Sequence, residues 1–217
     1  MKILVTVLSC KKHEHLWEKI TSKDIENLII FIGGSDETYY DKKTKILHLK
    51  CNDKYDGLPE KMILMMEYIL HSIHFSDVTH IIKIDDHDNV FTKENIDHLY
   101  NINELQEYHY IGQKLNNTTS FPWTWHDGNT YHYGKVESNT YWHDRCYSGG
   151  YLPWLDGGCS YILSKEAIKC IFSWYNSSNL EELRESEIFE DLMMGKILYH
   201  HDIFPKLVNY NIIGDKQ

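Results

Sequence analysis

Ile81-Ile82-Lys83-Ile84 runs directly into Asp85-Asp86-His87-Asp88-Asn89, and this junction constrains the fold more than any other stretch of the chain. Three β-branched residues in succession around one lysine predict a buried strand. Three carboxylates and an imidazole at its end must stay solvated or find a cation, because packed like charges repel and burying each is costly. Open α/β sheets place their ligands at the carboxyl ends of strands. The junction therefore points to a divalent cation there, with Asp86 and Asp88, two apart in a turn, facing it together. The competing reading is a solvated turn in which Asp88-Asn89 simply reverses the chain.

The remainder of the first half supports such a sheet. Ile3–Leu8, Leu28–Ile32 and Ile46–Leu49 read as further strands. Residues 15–20 start a helix. Pro59 suits a helix N1 position, ahead of apolar residues at helical spacing (Met62, Met65, Met66, Ile69, Ile73). Strand–helix alternation predicts a mainly parallel sheet covered on both faces. From Asn116 to Trp154 the chain is rich in Trp, Tyr, His, Asn and Gly without a clear period, which marks a functional loop region. Regularity returns with a strand over Tyr161–Leu163 and helices over Lys165–Trp174 and Leu183–Tyr199.

Composition excludes several functions. A net charge of −10 argues against a nucleic-acid partner and an anionic membrane surface. A phosphate-bearing substrate then needs a metal to supply positive charge locally. Five cysteines without CxxC spacing fit reduced thiols in a cytoplasmic protein. The run Ile3–Leu8 is too short to span a bilayer and lacks a signal-peptide pattern, so neither a secretory leader nor stable membrane insertion is expected. One alanine, two arginines and abundant Lys, Asn, Ile and Tyr suggest an AT-rich genome such as that of a large DNA virus, with the host cytoplasm as the setting. The length of 217 residues suits a single domain, with residues 1–91 as a nucleotide-binding half and 92–217 as an acceptor-side half.

Three more constellations carry chemistry. Gly157-Gly158, between Asp156 and an apolar strand, permits close backbone approach to a ligand, or forms a plain turn. Glu190-Asp191 opens a helix, as dipole-favoured charge or as a general base. His200-His201-Asp202 has metal-ligand types, but sits where imidazoles also favourably meet a helix C-terminus.

Taken in order, these motifs resemble a known family. Asp53, Tyr55, Leu58 and Lys61 have the spacing D-x-Y-x-x-L-x-x-K; Lys83-Ile84-Asp85-Asp86 is similar to a K-x-D-D-D segment. Gly157-Gly158-Cys159-Ser160-Tyr161-Ile162-Leu163-Ser164-Lys165-Glu166-Ala167 resembles GGAGYVLSKEA, and Glu190-Asp191 follows with Gly195. This succession resembles the β-1,3-glycosyltransferases of family 31, the galactosyl-, N-acetylglucosaminyl- and fringe-type enzymes. The resemblance implies a GT-A fold, with a Rossmann-like α/β sheet, a DxD metal motif and an inverting transfer. The donor would be a nucleotide-sugar, usually a UDP-sugar, with Mn2+ (or Mg2+), and the acceptor a glycan or glycoprotein.

By position, the resemblance implies that Asp86 and Asp88 form the DxD pair and that Asp85 lies near the ribose or the donor sugar. Gly157 and Gly158 would line the donor–acceptor cleft, with Trp154, Asp156 and Glu190. Asp191 would be the catalytic base, and Ser9 and Lys61 would assist donor binding. The pattern departs from the family at three points. His87 interrupts the aspartates and becomes a rival metal ligand; Ser160 replaces a glycine; and the late metal-binding histidine is either substituted by His200 or His201 or missing. Two other functions compete: a two-metal phosphodiesterase using Asp86, Asp88, His200 and His201, and a non-catalytic sugar-binding module.

Overall fold

A computed structural model describes residues 1–87, 91–116 and 132–210. Strands β1 (Ile3–Leu8) and β2 (Leu28–Ile32), wholly buried, form the centre of an eight-stranded sheet. Helix α1 (Glu14–Thr21) connects them, and β3 (Tyr39–Asp41) and β4 (Ile46–His48) complete one edge. Helix α2 (Leu58–His71) then returns the chain to β5 (His80–Asp85), on the other side of β1. Helices α3 (Lys93–Leu99) and α4 (Glu104–Glu107) precede β6 (Tyr110–Gly112), and β7 (Leu115–Asn116) pairs with β8 (Trp154–Leu155) as a separate ribbon. Strand β9 (Tyr161–Ser164) leads into α5 (Lys165–Trp174), α6 (Leu180–Ser186), α7 (Glu190–His200) and β10 (Lys206–Leu207).

The strand order is β10-β6-β9-β5-β1-β2-β4-β3. Neighbours pair in parallel at β1–β2, β1–β5, β2–β4 and β10–β6, and antiparallel where β3 and β9 insert. The expected mainly parallel α/β sheet is therefore present. Apolar side chains of α2, α5 and α7 cover one face and those of α1, α3 and α4 the other. That two-sided cover explains why β1, β2 and β5 are buried without alternation and mostly apolar, with Thr6 and Lys83 as the polar exceptions inside β1 and β5. Among the described residues, no helix is long and apolar enough to cross a membrane.

Two sequence expectations need correction. Helix α2 stops at His71, so Ile73 does not extend its apolar stripe; it lies 84% exposed in a following turn. The helix expected over Leu183–Tyr199 is two helices, α6 and α7, broken at residues 187–189. Glu187 adopts extended backbone there and is buried against Tyr147 and Lys196. The break redirects the chain so that Glu190 and Asp191 begin a new helix.

Candidate active site

The order of connection reverses between β1 and β5, since the chain runs outward through β2 and β4 and then returns to the other side of β1. Open α/β sheets place their ligands at the carboxyl ends of the strands at such a point. Ser9 follows β1, and Asp85 and Asp86 end β5. The backbone N–H of Asp86 donates to the Leu8 carbonyl at 3.1 Å, which continues the strand pairing one step further. Because β9 runs antiparallel to β5, with Tyr161 opposite Lys83, the Asp156–Ser160 turn lies at the same end of the sheet.

Asp86 is buried, and its Oδ2 accepts from Ser9 Oγ at 2.6 Å and lies 2.8 Å from His13 Nδ1. Trp17 in turn donates its indole N–H to Ser9 Oγ at 2.8 Å. Burial works to raise the Asp86 pKa, but hydrogen bonds from His87, Ser9 and His13 outweigh it and hold the carboxyl below its usual value. The other oxygen, Oδ1, lies 3.8 Å from His87 Nδ1. Carboxylate and imidazole suit Mn2+, and an ion shared with a diphosphate needs only one or two protein carboxylates. Among the described residues no three or more such side chains gather as a metal site. Asp86 Oδ1, with the His87 imidazole beside it, is of a donor type that fits an ion shared with substrate phosphates. Asp88 lies outside the described residues, as do Trp123, Trp125 and Tyr131 of the aromatic stretch.

Lys61, 1% exposed, donates to the Ser9 carbonyl at 2.9 Å and to Asp53 Oδ1 at 2.7 Å. Asp53 also accepts from the backbone N–H groups of Gly33 at 2.8 Å and Lys11 at 2.7 Å. The D-x-Y-x-x-L-x-x-K spacing thus straps the ends of β1 and β2 to the start of α2. Lys61 is buried, with protein groups as its partners.

Lys83 is the residue whose role sequence reasoning missed. A lysine inside a strand buried on both faces is the signal that could have found it, since such a charge persists only when paired. Its ammonium lies 2.6 Å from Asp85 Oδ1 and 2.8 Å from Glu190 Oε1, and donates to the Gly157 carbonyl at 3.1 Å. Burial opposes that charge, but the two carboxylates win and raise its pKa above the ordinary value. Tyr161 donates to Glu190 Oε2 at 2.7 Å. One buried cation therefore ties the end of β5, the glycine turn and the start of α7 together. His13 and Trp17 left no comparable signal, because nothing in their spacing shows that α1 folds back over Ser9.

Asp191 faces the same turn. Its Oδ2 accepts the Gly157 N–H at 3.0 Å. The side chain keeps partial solvent contact, yet its surroundings push its pKa up to about 7. Burial is the main cause and the Glu190 charge the second; the Gly157 N–H and Lys83 pull the other way. Asp156 accepts from the Gly158 N–H at 2.9 Å and pairs with Lys114 at 2.7 Å. Trp154 is buried, and a Cβ on Gly195 of α7 would stand 2.4 Å from its Cβ, so glycine lets β8 lie against the helix.

A Cβ on Gly157 would stand 2.5 Å from Glu190 Oε1 and 3.2 Å from the Asp191 Cβ. Gly157→Ala is therefore expected to lower activity at least tenfold and stability by about 1–3 kcal/mol, the cost of overpacking. Steady-state kinetics and urea denaturation check this. Ser160, where the family pattern has glycine, holds φ 63°, a backbone region that favours glycine; its Oγ is 3.0 Å from the Tyr210 hydroxyl. That conformation accounts for glycine in the pattern.

His200 and His201 are not brought to this site. They end α7, while Asp191 begins it, and His200 stacks on Trp174 with ring centroids 5.3 Å apart. They stand nine to eleven positions beyond Glu190-Asp191, about 14–16 Å along the helix axis.

A mainly parallel sheet covered on both faces by helices, with carboxylates gathered at its switch point, defines the class as an open α/β protein. The chain matches the family model described as Galactosyltransferase over residues 23–207, and it belongs to that family; it is a glycosyltransferase. Solved structures similar to it include a 4-diphosphocytidyl-2C-methyl-D-erythritol synthase from Anaerococcus prevotii, at 14% identity and TM-score 0.48, covering 100% of this chain and 91% of that one. A cytidylyltransferase from Leptospira borgpetersenii matches at 7% identity and TM-score 0.46, covering 96% and 77%. A CMP:2-keto-3-deoxy-manno-octonic acid synthetase matches at 6% and 0.44, covering 96% and 89%. These similarities bear on neither substrate nor chemistry. No curated protein sequence matches the chain.

Proposed function

We propose that the protein is a metal-dependent inverting glycosyltransferase. It moves a sugar from a nucleotide-sugar, a UDP-sugar by the family resemblance, to a glycan hydroxyl, forming a β-1,3 linkage. The observation that carries this reading is Asp191, whose carboxylate is held by the Gly157 N–H, with a pKa pushed up to about 7, at the sheet end that also bears Asp85 and Asp86. A base tuned to neutrality is what proton abstraction from an alcohol requires.

In this mechanism Asp191 accepts the proton of the acceptor hydroxyl as its oxygen attacks the anomeric carbon. The bond from that carbon to the diphosphate oxygen breaks, and the nucleoside diphosphate leaves with the electron pair. Lys83 keeps Glu190 from competing for the proton, because it holds that neighbour as a paired carboxylate. Asp86, with His87 beside it and Asp88 by sequence, would hold Mn2+ or Mg2+, whose charge would neutralise the bound diphosphate. Asp85 and Glu190 serve the site through Lys83, and Ser9 through Asp86.

The phosphodiesterase alternative loses its second metal ligand set, since His200 and His201 lie at the far end of α7. The test of donor binding is thermal denaturation with UDP and Mn2+ together. We expect the wild type to gain stability at saturating ligand, about 2.7 kcal/mol at a hundredfold excess over Kd. Asp86→Ala is expected to remove the Mn2+-dependent part. Equal stabilisation with and without Mn2+ would remove the metal from the reading.

A further inference from the structure

A cavity of about 550 Å³ lies on the flank of α7. One wall is the segment with Tyr141, Trp142, Arg145 and Ser148; the other is the α6–α7 break and Lys196. The walls are internally braced. Trp142 donates its indole N–H to the Arg184 carbonyl at 2.8 Å, and Lys196 reaches Glu187 at 2.6 Å and the Tyr147 hydroxyl at 2.9 Å. The bracing fixes the inner wall at Trp142, Glu187 and Lys196, while Tyr141 and Arg145 stand exposed at the rim.

Its most distinctive group is Arg145. The chain has two arginines. Arg184 is forked onto the buried Glu60 carboxylate, whereas Arg145 has no carboxylate within ion-pair distance among the described residues. Its guanidinium lies 4.1 Å from the Tyr141 ring centroid. A planar donor fork held on an aromatic ring, in a cavity whose walls also carry the Ser148 and Ser186 hydroxyls and the Glu185 and Glu187 carboxylates as acceptors, suits a sugar. Ring C–H groups pack on aromatic faces, and adjacent hydroxyls meet the fork.

We propose that this cavity is a saccharide subsite holding a non-reacting sugar of the acceptor glycan, recognised by Tyr141 and Arg145. The inference rests on the glycosyltransferase reading and extends it. Lys196 follows Asp191 by five residues on one helix, about 7.5 Å along its axis, so the occupant lies beside the helix that carries the base. Binding energy from such a remote unit can orient the reacting hydroxyl.

The test is capture of the full chain on an array of immobilised neutral and acidic oligosaccharides. Wild type should retain a structurally related set of glycans. Tyr141→Ala and Arg145→Ala should each weaken capture at least tenfold. Arg145→Lys, which keeps the charge without the planar fork, should weaken it as well, and it guards against misfolding of the alanine variants. Lys93→Gln, on exposed α3, should bind as wild type does. The inference is overturned if wild type captures no glycan, if both alanine variants capture undiminished, or if capture follows anionic groups regardless of sugar. The UDP–Mn2+ thermal shift is read on the same wild-type sample. A shift without glycan capture defeats the subsite alone; loss of both defeats the underlying reading too.

Discussion

Asp191→Asn is expected to lower glycosyl transfer by 10²–10⁴-fold, the usual contribution of a positioned general base, while UDP–Mn2+ affinity changes less than twofold. The amide still offers an oxygen to the Gly157 N–H, which Asp191 Oδ2 now receives at 3.0 Å, so the turn is preserved while the proton acceptor is lost. The wild-type kcat/KM should rise with pH through about 7 and then level off, since only the ionised carboxylate acts as a base. Stability should move the opposite way. The folded-state pKa lies above the model-compound value of 3.8, so the folded protein binds this proton more tightly than the unfolded chain does. The resulting stabilisation is full below about pH 4 and is lost as pH rises through about 7. The Asn variant lacks this loss and should exceed wild type at pH 8 by on the order of 2 kcal/mol, after discounting for the solvent contact Asp191 retains. Urea denaturation between pH 4 and pH 8 measures this. A variant that transfers at the wild-type rate would show that another group takes the proton.

Lys83→Met should be the most destabilising single change in the site. It leaves Asp85 and Glu190, now 2.6 Å and 2.8 Å from the ammonium, without their shared cation. Removing one partner from a buried ion pair costs about 3–5 kcal/mol, because the remaining charge stays buried and unpaired. Adding Glu190→Gln should recover part of that loss, since one surplus charge disappears, although the Gln would still need the Tyr161 hydroxyl that Glu190 accepts at 2.7 Å. Denaturation of wild type, both single variants and the double variant gives the coupling directly. Additive losses would mean that Lys83 and Glu190 do not act as a unit.

The sheet was legible in the sequence where burial is two-sided. The runs Ile3–Leu8, Leu28–Ile32 and Ile81–Ile84 are apolar but for Thr6 and Lys83 because helices cover both faces, and their order with the intervening helices already implied the parallel core. Short strands such as β6, β7 and β10, of two or three residues, carry too little pattern to stand out. The α6–α7 break escaped because Glu187 looks like any exposed helical glutamate until Tyr147 and Lys196, distant in sequence, enclose it. Around the site, Asp86, Gly157 and Asp191 were legible by type and order. Their fastening by Lys83, His13 and Trp17 was not, because ion pairs and indole hydrogen bonds form between segments whose meeting only the topology decides. His200 and His201 show the reverse error: suitable ligand types placed at the wrong end of a helix.

The most direct test of the central claim is nucleoside diphosphate release, measured by mass spectrometry, when the full chain is incubated with Mn2+ and a panel of nucleotide sugars. A UDP-sugar should be consumed by the wild type and remain intact with Asp191→Asn. Consumption of no nucleotide sugar, together with cleavage of a phosphodiester model substrate, would contradict the assignment.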